Sequence, residues 1–271
     1  MRLFIRLSYN GSAYSGWQRQ NNAPSVQAEM ERALSIYFKC KAEVTGAGRT
    51  DAGVHAINYV AHFDIFDTGP LKERQKLLYK INAILPEDIT VIDICQVDEN
   101  SHARFDALSR TYKYFVHTKK EPFLTHYSYL YPYNLDIEAM NRAACHLIGE
   151  QDFTSMAKLH SDTNNNICKV TDARWFAASP VTIMDMGMTD RDPIRDDSTG
   201  STFCFTITAN RFLRNMVRAV VGSLLEIGRG VYEPEYIIKI LEKRDRSAAG
   251  NSVPPHSLFL TNIEYPHTPF G

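Results

Sequence analysis

The chain has 271 residues, of which 44% are hydrophobic and 23% charged, a composition typical of a globular protein with one large domain or two of ordinary size. No run approaches the roughly 18 apolar residues of a membrane-spanning helix, and "MRLFIRLSYNG" at the start predicts a strand and not a signal peptide, so no membrane partner is expected. Five scattered cysteines without a C-x-x-C pair indicate a reducing cytoplasm, the dispersed histidines argue against a metal site, and the net charge of −1 provides no overall attraction for nucleic acid.

The first hundred residues predict the order strand, helix, strand, strand, helix, strand. Strands are indicated by alternating or buried apolar residues, and helices by apolar residues three and four positions apart. Ser25, directly after Pro24, is a suitable cap for the first helix. The six predicted segments are residues 3–9, 25–38, 42–45, 56–65, 70–85 and 89–97.

The second half repeats this order loosely, with one additional helix at 233–245. Its other predicted segments are 110–117, 136–149, 168–177, 201–209, 211–228 and 258–265. The order β-α-β-β-α-β is that of the ferredoxin-like fold. The predicted class is therefore α+β, with two ferredoxin-like domains at residues 1–104 and 105–271. Their antiparallel sheets are expected to lie side by side and to leave a cleft.

Charge is unevenly distributed in the second half. Arg211, Arg214 and Arg218 are spaced i, i+3 and i+7, which would place them on one stripe of the predicted helix 211–228. A solvated basic face is the plain interpretation, although the stripe has no glutamate partners at i+4. The segment 179–200 carries five aspartates against two arginines and predicts an acidic, loop-like insert.

The segment "GAGRTDAGVHA" (46–56) surrounds one carboxylate, Asp51, with small residues, and places Arg49 and His55 nearby. Asp beside Gly commonly forms only a turn, and that interpretation stays open on spacing alone. A dinucleotide-binding G-x-G-x-x-G is excluded, because position 51 is not glycine and the segment lies between two predicted strands. No P-loop is present either, so a nucleotide-dependent enzyme is disfavoured.

Two further segments combine aromatic and cationic side chains. In the strand 110–117, Arg110 and Tyr112 share a face with a second tyrosine, a pattern that suits stacking on unpaired bases but also suits core packing. The loop "GSAYSGWQRQ" contributes Trp17, Gln18 and Arg19 as exposed binding residues, unless Trp17 anchors the loop to the core.

Taken together, these segments resemble the TruA-type tRNA pseudouridine synthases over almost the whole chain. "YNGSAYSGWQRQ", "GAGRTDAGVHA", "HARFDALSRTYKYF" and "NRFLRNMVRAVVGSLLEIGRG" match four motifs of that family in the same order. The resemblance implies that Asp51 is the essential aspartate, Arg49 its motif neighbour, Tyr112 the ring against the target uracil and Arg218 the partner of the aspartate.

The family also implies two ferredoxin-like domains around a basic cleft, homodimers, a tRNA substrate modified at positions 38 to 40 of the anticodon arm, and no cofactor. Arg110 would assist substrate binding, and Trp17, Gln18, Arg19, His55, Arg211 and Arg214 would contact RNA. A structural, hydrogen-bonded role is an equal alternative for His55. Ser257 stands where the family pattern has glycine. A catalytically silent RNA-binding or tRNA-chaperone protein on the same fold is the remaining alternative.

Overall fold

The computed structural model describes residues 1–66, 71, 73–158, 165–178, 201–267 and 269–270. The predicted acidic insert 179–200 lies outside the described residues. The chain divides into two compact units, one formed by Met1–Ser109 with Leu260–Gly271 and the other by Arg110–Phe259. Both units mix helices with mostly antiparallel strands. None of the helices among the described residues is long and apolar enough to cross a bilayer.

The first unit follows the predicted order of elements. These are β1 (Arg2–Tyr9), α1 (Val26–Phe38), β2 (Thr45–Gly46), β3 (His55–Asp64), α2 (Arg74–Ile84) and β4 (Ile89–Gln96). Strand β1 lies between β3 and β4 and pairs with both antiparallel, while β3 also pairs with β2. The Ser25 side chain accepts a hydrogen bond from the Ala28 N–H and caps α1 as predicted.

Burial in the first unit follows the apolar pattern of its sequence. Leu3, Ile5 and Leu7 of β1 are fully buried, and the apolar stripe of α1 is buried with them. Each such aliphatic side chain contributes about 1.5–3 kcal/mol when it leaves water. This packed layer is the support for the loop that carries Asp51.

Strand β2 is shorter and later than the predicted strand 42–45. The N–H of Val44 donates to Glu31 Oε1 at 3.2 Å, and its carbonyl accepts from Gln27 Nε2 at 2.8 Å. The N–H of Ala42 donates to the Ser35 hydroxyl at 2.9 Å. Because side chains of α1 bond to this backbone, residues 42–44 do not form a strand ladder.

The second unit contains β5 (Ser109–His117), β6 (Tyr129–Leu130), α3 (Ile137–Cys145), β7 (Gly149–Asp152), β8 (Ile167–Ala177), β9 (Thr202–Ala209), α4 (Met216–Gly228), α5 (Tyr236–Lys243) and the beginning of β10 (Leu258–Glu264). Its strands follow the order β5-β9-β8-β7 and pair antiparallel, whereas β6 pairs parallel with β5. Residues 260–264 of β10 belong to the first unit, where β10 pairs with β3. The short strands β6 and β7 were not predicted.

Most of the predicted helices are too long, and the structure shows the cause for two of them. The helix predicted over 136–149 ends at Cys145, because Gln151 Nε2 donates to the carbonyls of His146 and Ile148 and Gly149 adopts φ +113°. The helix predicted over 211–228 begins only at Met216. Asn215 has φ 68°, a left-handed conformation that interrupts helical backbone.

Candidate active site

Asp51 lies in a loop, residues 47–54, that connects β2 to β3 and is called here the aspartate loop. The Asp51 side chain is half-buried, while its neighbour Arg49 is exposed. The loop turns directly after the carboxylate, since the N–H of Val54 donates to the Asp51 carbonyl at 3.2 Å and Gly53 has φ +76°. The carboxylate is therefore presented at a tight turn.

The segment 9–17 holds the aspartate loop through its backbone. The N–H of Trp17 donates to the Thr50 carbonyl, and the N–H of Gly53 donates to the Tyr14 carbonyl, each at 3.2 Å. Gly16 has φ +98°, and a Cβ there would collide with the Thr50 carbonyl. The glycine at position 16 thus allows two backbone segments to approach closely.

Three buried rings, Tyr9, Trp17 and Tyr59, form an aromatic cluster beneath the aspartate loop. Trp17 stacks on Tyr59 with ring centroids 4.1 Å apart, and Tyr9 meets Tyr59 edge-on at 5.6 Å. The Tyr9 and Thr50 hydroxyls are hydrogen-bonded at 2.8 Å. The Tyr59 hydroxyl donates to the Gly48 carbonyl and accepts from the Gly48 N–H at 3.4 Å. The prediction that Trp17 is an exposed binding residue is wrong, because its ring is 3% exposed and packs in this cluster.

The other predicted residues of this unit have different environments. Gln18 and Arg19 are exposed, and Arg19 forms an ion pair with Glu31 at 3.3 Å. His55 is 2% exposed, and its Nδ1 accepts the Gly11 N–H at 3.1 Å. The structural alternative for His55 therefore fits, and an exposed RNA contact does not.

In the second unit, Arg110 and Tyr112 lie at the more exposed end of β5. Arg110 donates to the Asn210 carbonyl at 2.8 Å, which fixes its guanidinium beside the end of β9. Tyr112 is half-buried and meets the edge of Phe212 with centroids 5.0 Å apart and an interplanar angle of 84°. Tyr114, on the same face, is fully buried, so the core interpretation holds for this part of the strand.

Arg218 occupies the first turn of α4 and is partly buried. Its Nε donates to the Val253 carbonyl at 2.6 Å, and the Val253 N–H donates back to the Arg218 carbonyl at 3.2 Å. These two bonds hold Arg218 against the segment that precedes β10. The bond from Nε restricts the orientation of the guanidinium.

The predicted arginine stripe on one helix face is wrong. Arg211 and Arg214 precede α4, because the left-handed backbone at Asn215 separates them from Arg218. Arg211 donates to Asn165 Oδ1 at 3.4 Å, and the Arg214 carbonyl accepts the Lys158 N–H at 2.9 Å. The three arginines therefore do not share the i, i+3, i+7 geometry of a helix.

The sequence did not reveal the residues that support the aspartate loop or the residue that contacts Tyr112. Tyr9 and Tyr59 are interior residues of predicted strands, and alternation in a strand does not show which loop a hydroxyl reaches. Phe212 was predicted inside a helix, so its ring contact with Tyr112 was not expected. Within the described residues, no group of three or more His, Cys, Asp or Glu side chains could hold a metal ion.

Comparisons with known proteins agree with this arrangement of motifs. A family model described as tRNA pseudouridine synthase matches residues 7–106 and 143–266. The tRNA pseudouridine synthase A of Bacteroides fragilis is 46% identical over 269 residues, which cover 99% of this chain and 98% of the relative. That of Bacteroides thetaiotaomicron is 46% identical over 100% of this chain and 93% of the relative. That of Bacillus subtilis is 37% identical over 98% and 99%, respectively.

The matched ranges include the aspartate loop, the segment 9–17 that holds it, and the turn of α4 that carries Arg218. Arg110 and Tyr112 lie between the two ranges of the family model and are covered by the full-length relatives. The chain belongs to the family of tRNA pseudouridine synthases.

Proposed function

We propose that this chain isomerises uridine to pseudouridine at positions 38 to 40 in the anticodon arm of tRNA, with Asp51 as the catalytic nucleophile or base. Its family makes it an isomerase that acts on tRNA. The observation that supports the role of Asp51 is its presentation as a half-buried carboxylate at the turn of a loop that hydrogen bonds secure on both sides of it. A carboxylate fixed in this way loses little freedom when it reacts.

The reaction suits one carboxylate without a cofactor. The N1–C1′ bond of the nucleotide breaks, the uracil rotates, and a bond forms between C5 and C1′; the C5 proton is removed and N1 gains a proton. No atom is added or lost overall. Glycoside hydrolases need two carboxylates, one to protonate the leaving group and one to act on C1′ or water. An isomerase that retains the base needs no water, so a single nucleophile or base is sufficient.

Substrate access requires the target base to leave its stack, at a cost of a few kcal/mol. We propose that Tyr112 stacks on the flipped uracil, because its ring is half-exposed and its edge contact with Phe212 limits its rotation. Arg110 and Arg218 are held by backbone carbonyls and would bind the substrate or support the reacting groups without further ordering. Arg49 is exposed beside Asp51, where it suits a phosphate contact.

The proposal includes the wider properties that the family resemblance implies. Each unit would be a ferredoxin-like domain, and in the first the strand order β4-β1-β3-β2 supports this. The chain would act in the cytoplasm as a homodimer. The exposed side chains of Gln18, Arg19 and Arg214, together with the partly exposed Arg211, would contribute RNA contacts.

The test uses unmodified tRNA transcript, the wild-type protein, and the variants Asp51→Asn and Asp64→Asn. Asp64 is a matched control, since its carboxylate forms an ion pair with Arg2 at 2.9 Å at the far end of β3. Pseudouridines are mapped as carbodiimide-dependent stops of reverse transcription. We expect stops in the anticodon arm with the wild type and Asp64→Asn, and none with Asp51→Asn.

Two outcomes would contradict the proposal in different ways. Stops that persist with Asp51→Asn would leave the reaction in place and remove Asp51 from it. Retained tRNA binding without stops for any protein, wild type included, would establish the silent RNA-binding alternative. Binding is measured in parallel at a fixed salt concentration, because contacts to phosphate are strongly salt-dependent.

A further inference from the structure

We infer that Tyr59 is a positioning residue for Asp51: its hydroxyl fixes the Gly48 peptide and thereby sets where the aspartate loop presents its carboxylate. The inference rests on the proposed role of Asp51. Tyr59 lies outside the motif that carries Asp51, in the middle of β3, and is fully buried. It touches the loop and not the reacting groups.

The backbone N–H and the backbone carbonyl of Gly48 both form hydrogen bonds with the Tyr59 hydroxyl. The hydroxyl donates to the Gly48 carbonyl and accepts from the Gly48 N–H. On its other side Gly48 faces open space, since a Cβ built there meets no atom within 4 Å. The hydroxyl therefore restrains Gly48 from one side, while no atom packs against it on the other.

The ring of Tyr59 is itself immobile. It stacks on Trp17 at an interplanar angle of 29° and meets Tyr9 edge-on at 62°. Its backbone is in register with Leu7 of β1. A ring held by the sheet and by two neighbouring rings is a fixed reference point for the loop, because buried aromatic contacts leave few alternative rotamers.

The position of this anchor along the loop explains its importance. Tyr9 and the backbone of Trp17 bond to Thr50, directly before Asp51, and Tyr14 accepts the N–H of Gly53, two residues after it. Tyr59 secures Gly48, three residues before the carboxylate. The Ala47 N–H donates to the Val60 carbonyl at 2.9 Å, so the Tyr59 hydroxyl restrains residues 48 and 49 between Ala47 and Thr50. Without the hydroxyl, a shift of these two residues would displace the carboxylate that follows them.

The test is Tyr59→Phe, which removes the hydroxyl and keeps the ring in the aromatic cluster. We expect kcat for pseudouridine formation to fall by roughly 10- to 100-fold, the effect of displacing a reactive group by about 1 Å. KM and the tRNA dissociation constant should change by a smaller factor than kcat, because Arg49 is the only residue proposed to contact RNA that lies in the stretch held by Tyr59. A purely structural defect would lower the apparent kcat in proportion to the folded fraction and leave KM unchanged, so kcat is normalised to the folded fraction of each variant.

Tyr131→Phe is the matched control. Tyr131 is 7% exposed, and its hydroxyl donates to Glu226 at 3.1 Å in the other unit. Each hydroxyl donates one hydrogen bond and accepts another, which for Tyr131 comes from Arg229, so both variants lose two hydrogen bonds and should lower Tm by similar amounts. Only Tyr59→Phe should lower kcat, and near-ultraviolet circular dichroism on both proteins verifies that the aromatic environments are native.

Asp51→Asn in the same assay separates the two proposals. An active Asp51→Asn would end the proposed role of Asp51, whatever Tyr59→Phe does. An inactive Asp51→Asn with wild-type kcat in Tyr59→Phe would overturn the positioning role alone. Equal losses of kcat in Tyr59→Phe and Tyr131→Phe, or a loss that matches the drop in folded fraction, would also overturn it.

Discussion

Replacing Gly48 by alanine is expected to impair catalysis while leaving the fold intact. Its φ does not lie in the left-handed range that favours glycine, and a Cβ at this position meets no atom within 4 Å. Alanine at a compatible glycine position raises stability by about 0.4–1 kcal/mol through the unfolded chain. The free energy of unfolding should therefore stay the same or rise slightly.

We expect the open space beside Gly48 to be occupied by the substrate. If the RNA backbone or ribose approaches the aspartate loop at its unobstructed side, the new methyl group enters space that the substrate needs. Forcing one extra methyl into a filled contact costs about 1–3 kcal/mol. This range corresponds to a loss of roughly 5- to 150-fold in kcat/KM.

Gly46→Ala provides the comparison within the same motif. A Cβ at Gly46 would collide with the Tyr59 hydroxyl and with the Trp17 indole, both of which are buried. Neither ring can move without disturbing the aromatic cluster, so this variant should lose about 1–3 kcal/mol of stability. Gly46 thus makes room for the protein's own scaffold, whereas Gly48 leaves room for something outside it.

The assay combines urea unfolding with kcat/KM on unmodified tRNA transcript for both variants. A Gly48→Ala protein with normal stability and reduced kcat/KM, beside a destabilised Gly46→Ala protein, supports the reasoning. Wild-type kcat/KM in Gly48→Ala would refute it, because the substrate would then not approach this side of the loop. Destabilisation of Gly48→Ala equal to that of Gly46→Ala would refute the steric distinction.

Three further predictions follow from other parts of the chain. Burial, followed by the charge of Arg2, lowers the pKa of His62 to about 4, so the unfolded chain binds a proton more readily than the folded protein does. The free energy of unfolding should therefore fall by on the order of 1–2 kcal/mol between pH 7 and pH 5. In urea unfolding, His62→Asn should reduce this pH dependence. Arg218→Ala should reduce kcat by a larger factor than it weakens tRNA binding, and equal losses would make Arg218 an ordinary phosphate contact. Lys39 is exposed and ends α1 with φ 53°, so Lys39→Gly should stabilise the protein by about 1 kcal/mol in thermal unfolding, and an unchanged or lower Tm would contradict this.

The order of elements in the first unit could be predicted because each depends on a local repeat. Alternation in 3–9 and the helical spacing in 25–38 correspond to β1 and α1, within one residue at either end. The start of β2 could not be predicted in this way. The backbone of residues 42–44, just before β2, is bonded by side chains of α1 that lie 7 to 17 residues away, and hydropathy does not register such bonds.

The arginine stripe failed for a related reason. Spacing of three and seven residues implies a shared face only if the intervening backbone is helical, and one left-handed residue, Asn215, breaks that condition. Asn tolerates the left-handed conformation better than most residues, but Asn also occurs within helices. The sequence therefore does not show whether residue 215 is left-handed or helical. The prediction of a helix was correct for the apolar residues after Asn215, which form α4 and are buried.

In the aspartate loop, the motif identifies the candidate catalytic residue, and the structure distinguishes the roles of the glycines around it. The motif predicts Asp51 from sequence alone and suggests that its glycines make room for RNA. In the structure Gly53 supplies a positive φ, Gly46 accommodates two buried rings, and Gly48 borders open space. Composition cannot separate these three uses, because each needs the same missing side chain for a different physical reason. A site that admits a bulky substrate and also immobilises its carboxylate needs both kinds of glycine. Gly46 and Gly53 let the aspartate loop pack on the protein, and Gly48 leaves the opposite side of the loop open.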